Sequence, residues 1–153
     1  MRTMIAVVVS MIGLANPAQA GEEKADARAV DYCKSTSGTF VAVAKCLPEA
    51  HVALKTMDAF ESIYPASAQP LRLKCIERNE GNVVGAATCL SEAITAAIDL
   101  KASLPKGSNL DDAIFESVSD TTLKTLLDEA VEQAKAVFPN VRLWGGTMYK
   151  AYQ

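Results

Sequence analysis

Four cysteines fall at two corresponding places of an internal repeat, and no other feature constrains the fold of this chain as tightly. Cys33 is followed, after twelve intervening residues, by Cys46-Leu47-Pro48-Glu49-Ala50, and Cys75, after thirteen, by Cys89-Leu90-Ser91-Glu92-Ala93. Between the cysteines, Ser37-Gly38-Thr39-Phe40-Val41 aligns with Glu80-Gly81-Asn82-Val83-Val84, and Ala44 with Ala87. A repeat of this period is one supersecondary unit, too small to bury its apolar face alone and completed by its neighbour. The spacing therefore predicts two units of about 42 residues, each built from helices.

The redox state of the cysteines depends on the compartment, and the N-terminus carries the signal for that. Arg2 supplies a positive charge, residues 5–14 are apolar apart from Ser10 and Gly13, and Ala18-Gln19-Ala20 is a small-residue cleavage motif. Residues 1–20 are read as a signal peptide, with a mature chain from Gly21 that is periplasmic or secreted. No cysteine follows the cleavage motif to take a lipid, and no later run has about 18 uninterrupted apolar residues, so stable membrane insertion is not expected. In an oxidising compartment an even set of cysteines without Cys-x-x-Cys reads as structural disulfides. Four cysteines allow three pairings, and duplication favours Cys33 with Cys46 and Cys75 with Cys89, because each module then carries its own cross-link. Each closes a loop worth roughly 3 kcal/mol in the chain-entropy model.

Residues 22–32 form a polar, alanine-rich helical pattern that breaks over 34–38. Thr39 then caps a helix presenting Phe40, Val43, Ala44 and Leu47. Pro48 in one copy and Ser91 in the other predict a boundary or kink, after which apolar spacing resumes up to Pro65 and Pro105. Residues 69–78 read as the helix entering the second copy, with Pro70 tolerated in its first turn. Asn109 is the expected cap of a helix through Ala113, Ile114 and Val118, with Asp111 and Asp112 in its first turn. Asp120 or Ser119 caps the clearest helix, whose stripe is Leu123, Leu126, Leu127, Ala130, Val131, Ala134 and Val137. The expected architecture is one all-α domain over 21–153: repeat one over about 22–65, repeat two over about 66–105, and over about 106–153 a helical hairpin covering their open side and an aromatic tail.

Few residues offer chemistry. His51 is the only histidine and stands where the second repeat has Ile94, which reads as a partly buried helix residue; its place as a catalytic base or, with Met57 or Met148, as a haem ligand is the weaker reading. No Gly-x-Ser-x-Gly elbow occurs. Glu49 and Glu92 recur in both copies and are read as first-turn acids that favour the helix dipole, while Gly38 and Gly81 are read as turn residues. In the tail, Leu143, Trp144, Met148, Tyr149 and Tyr152 surround Gly145-Gly146, and the single tryptophan lies among them. Sealing the core is the favoured role of this tail, and a partner surface is the second.

Charge excludes some partners. Removing Arg2 with the signal takes the net charge from −3 to −4, which argues against nucleic acid or an anionic membrane surface. The expectation is a non-enzymatic exported interaction protein that binds another exported protein as an inhibitor, immunity factor or assembly partner, with no cofactor. A small-ligand or haem carrier with a pocket between helices is the alternative, and a hydrolase stands last.

Overall fold

The computed structural model describes residues 24–139 of the chain, and these form six α-helices with no strand among the described residues. The signal-like segment 1–20 and the aromatic tail lie outside the described residues.

The first helix, α1 (Ala27–Thr36), starts later than the alanine-rich pattern implies because Asp26 is its N-cap, its carboxylate accepting from the Arg28 amide at 2.9 Å. It also runs further, into the expected break: the Ser35 and Thr36 hydroxyls donate to the Tyr32 carbonyl at 2.8 and 3.0 Å across the last turn. The next helix, α2 (Phe40–Ile63), begins where the Thr39 hydroxyl accepts from the Ala42 amide at 3.2 Å. A short 3-10 turn, Ala66–Ala68, leads into α3 (Gln69–Arg78), with Pro70 in its first turn. Asn82 caps α4 (Val83–Ser103) by accepting from the Gly85 amide at 2.9 Å.

Neither Pro48 nor Ser91 bounds a helix: α2 runs unbroken through the first and α4 through the second. An interior proline costs about 3 kcal/mol. Burial beyond Pro48 outweighs this, since Ala50, His51 and Phe60 are fully buried and a buried Phe alone contributes roughly 1.5–3 kcal/mol. Ser91 is mid-helix because Asn82 has already capped α4 nine residues earlier. Glu49 and Glu92 consequently lie in helix interiors and not in first turns, which removes the dipole account of their recurrence.

A second correction concerns α5 (Ala113–Val118). Asp112 caps it, accepting from the Ile114 and Phe115 amides at 2.8 and 3.1 Å, whereas the Asn109 side chain takes the Asp111 amide at 3.0 Å. Asp111 has φ +52°, a left-handed conformation in which a helix cannot propagate backwards. Asp120 caps α6 (Thr121–Ala136), as the sequence implies.

Within this order α1 packs on α2, α3 on α4, and α2 on α4, while α6 lies along α2 and α5 rests on the 3-10 turn, α3 and α4. The last two helices thus diverge to separate neighbours and do not cover both halves as one hairpin. On α6 the buried stripe narrows to Leu127 and Ala134, with Leu126 exposed. The main core joins Met57, Phe60 and Tyr64 of the α2 end to Leu71, Leu90, Ile94, Phe115 and Leu127. A smaller one gathers Ala29, Cys33 and Ala50. By length and composition α4 is apolar enough to cross a membrane; in this fold its Leu90, Ile94 and Ala97 pack in the core, and Glu92 and Asp99 are exposed.

Candidate functional site

Two disulfides hold the paired helices. One joins Cys33 of α1 to Cys46 of α2, the other Cys75 of α3 to Cys89 of α4, with Cα atoms 5.8 and 5.7 Å apart. Each hairpin is therefore cross-linked within itself, in the pairing that duplication favours, and disulfides of this kind suit an oxidising compartment. Beside the second bond, α3 and α4 meet closely: the Asn79 side chain is buried and donates to the Cys75 carbonyl at 2.8 Å. A Cβ added to Gly85 would stand 2.7 Å from its oxygen.

His51 is fully buried, deeper than its sequence context implies. Its Nδ1 accepts the Asp26 backbone N–H at 2.9 Å, and its ring meets that of Phe138 edge-on, with centroids 5.5 Å apart. Thus one side chain fastens the start of α1 and the end of the α6 segment to the middle of α2. An accepting Nδ1 places the ring proton of the neutral form on Nε2. Met57 follows six residues later on the same unbroken helix, about 9 Å further along the axis and roughly 240° around it, so the two cannot face one iron from opposite sides. Met148 lies outside the described residues.

Close to His51, Arg28 bridges Asp26, at 2.6 Å, and Asp58. The hydrogen bond from Arg28 is the largest influence on the Asp26 carboxyl, which is held down from 3.8 to about 2. The bridge is largely exposed and contributes little to stability by itself.

Tyr64, which the sequence marks only as an apolar position, is 4% exposed and stacks on Phe60 with centroids 4.3 Å apart. Its hydroxyl is buried without a hydrogen-bond partner among the described residues. Burial first, then the negative charges of Asp128 and Asp120, push it from 10.0 up to about 12. A phenol so placed keeps its proton at neutral pH and serves poorly as a base or nucleophile.

Glu49 is half-buried on α2 and Glu92 exposed on α4. An open depression of about 390 Å³ lies at the surface beside the α4 end, lined by Lys101, Leu104, Lys106 and Phe115 among others. The tail residues Leu143, Trp144, Met148, Tyr149 and Tyr152 lie outside the described residues.

The surface shows what periodicity alone concealed. Leu73 and Ile76 are 58% and 38% exposed, three residues apart and so neighbours on one face of α3. Between them Cys75 is fully buried and bound to α4. Phe40 and Val41 at the start of α2 are also exposed, Phe40 at 84%. No family model, no curated protein and no solved structure matches this chain.

Proposed function

We propose that this chain is an exported, non-enzymatic helical binding protein whose partner is another exported protein, and that α3 supplies the contact. The observation that carries the reading is the Leu73–Ile76 ridge. Two large apolar side chains stand in water on a helix that the Cys75–Cys89 bond fixes to α4, so little ordering entropy remains to be lost when a partner covers them. Apolar anchors held in advance in this way suit the centre of a protein interface.

The two cross-linked hairpins are read as a duplicated module. Thr39 and Asn82 stand at the same place and both cap their helices through the third amide. His51 and Ile94, also equivalent, are both fully buried. Duplication accounts for a scaffold with two staples and leaves the faces of the two copies free to diverge.

The test is capture from the protein's own compartment. Tagged wild-type protein and a Leu73→Ser/Ile76→Ser variant are recovered under non-reducing conditions, and co-purifying proteins are identified by mass spectrometry. One exported protein should be recovered with the wild type and lost with the variant, while circular dichroism shows both folded. Equal recovery with both proteins would remove α3 as the contact.

A further inference from the structure

The two disulfides close hairpins of the same plan, with Cα separations of 5.8 and 5.7 Å, but they are not covered alike. Cys75 and Cys89 are fully buried and belong to the main core with Leu71, Leu90 and Ile94. Cys33 is fully buried too, whereas its partner Cys46 is partly exposed at the edge of the smaller core. Thiol–disulfide exchange needs access to one of the two sulfurs, and of the four cysteines only Cys46 has surface in water.

Little besides the bond holds the chain around Cys46. No residue between Cys33 and Pro48 is fully buried, and Phe40, Val41, Ala44 and Lys45 in the first two turns of α2 are exposed. Pro48 has no N–H for the Ala44 carbonyl, so the backbone hydrogen-bond ladder is interrupted where those turns join the rest of the helix. The start of α1 keeps separate ties, from the Asp26 amide to His51 and from Arg28 to Asp58.

We propose that the Cys33–Cys46 bond is a site of thiol–disulfide exchange with a dithiol, attacked at Cys46, and that its opening loosens residues 34–47 while Cys75–Cys89 stays closed. One thiolate of the dithiol bonds to the Cys46 Sγ as the Sγ–Sγ bond breaks, and Cys33 leaves as a thiolate that takes a proton. The second thiol, on losing its proton, attacks the dithiol's own sulfur, closes the reductant's disulfide and releases Cys46, which is protonated in turn. Two electrons and two protons thus pass from the dithiol to the protein. This goes beyond the binding function and does not depend on it, because the Leu73–Ile76 ridge lies on α3.

The test exposes the folded mature protein to dithiothreitol at neutral pH, stops the reaction by alkylation at intervals and maps the modified cysteines. Cys33 and Cys46 should be alkylated together and many times faster than Cys75 and Cys89, whose reduction must await opening of the main core. In denaturant the two bonds should open at similar rates. When only Cys33–Cys46 is open, hydrogen exchange should show amide protection lost over 34–47 and retained over α4. With glutathione, a monothiol, the first mixed disulfide should be found on Cys46. Equal rates in the folded protein, earlier opening of Cys75–Cys89, or a selectivity that survives in denaturant would overturn the proposal. So would glutathione attached first to Cys33, or protection retained over 34–47 after reduction.

Discussion

Replacing His51 by alanine tests how this fold is fastened. The side chain is fully buried, and truncating one of this size leaves a cavity costing about 2–4 kcal/mol. The change also strips the acceptor from the Asp26 amide, 2.9 Å away, which adds about 1 kcal/mol. The expected loss is about 3–5 kcal/mol, a fall in Tm of about 10–20 °C at roughly 4 °C per kcal/mol, larger than for the partly buried residue that the sequence alone suggests. His51→Leu separates the two contributions, since it refills most of the volume without restoring the acceptor. It should recover more than half of the loss. Urea denaturation followed by circular dichroism gives both values, and a cost below about 1 kcal/mol for the alanine variant would refute the reasoning that this ring joins α1, α2 and the end of the α6 segment.

Three further outcomes are expected. Gly81 has φ +85°, so Gly81→Ala should destabilise by about 1 kcal/mol; Gly38 has no such conformation and open space at its Cβ, so Gly38→Ala should be neutral or stabilising by up to about 1 kcal/mol in the same melts. Tyr64→Phe removes a buried hydroxyl without a partner among the described residues and should stabilise by about 1 kcal/mol. The wild type should lose stability as pH rises from 10 to about 12, because the unfolded phenol releases its proton before the folded one, and the variant should lack that decline. Asp26 is displaced in the other direction: its contribution is present above about pH 4 and disappears as pH falls towards 2. Asp26→Asn should therefore flatten the acid limb of the stability curve, read by thermal melts between pH 2 and 6.

Where one residue settles a local question, the sequence is a sufficient guide. Thr39 and Asp120 are strong caps ahead of apolar spacing, and both start helices; the duplicated cysteines pair within their own copies. Choices made by distant packing are not visible in the same way. Pro48 signals a boundary by its own chemistry, and α2 passes through it because the residues beyond are buried against α1, α4 and α6. Around Asn109 three residues are able to cap a helix, and the left-handed backbone of Asp111, not side-chain type, selects Asp112. The burial of His51 depends on α1 and Phe138 returning to one point of α2. Leu73 and Ile76 fit a core pattern, and only the rotation of α3, fixed by Cys75 and Cys89, turns them outwards.

The proposed export, and the closing of each helical hairpin by its own disulfide, are tested most directly by one measurement: intact mass and non-reducing peptide mapping of the protein recovered from its native compartment. The predicted result is a chain beginning at Gly21, four hydrogens lighter than its fully reduced form, with Cys33–Cys46 and Cys75–Cys89 as the linked peptides. Free thiols on a chain that retains Met1, or a bond joining Cys33 to Cys75 or Cys89, would contradict it.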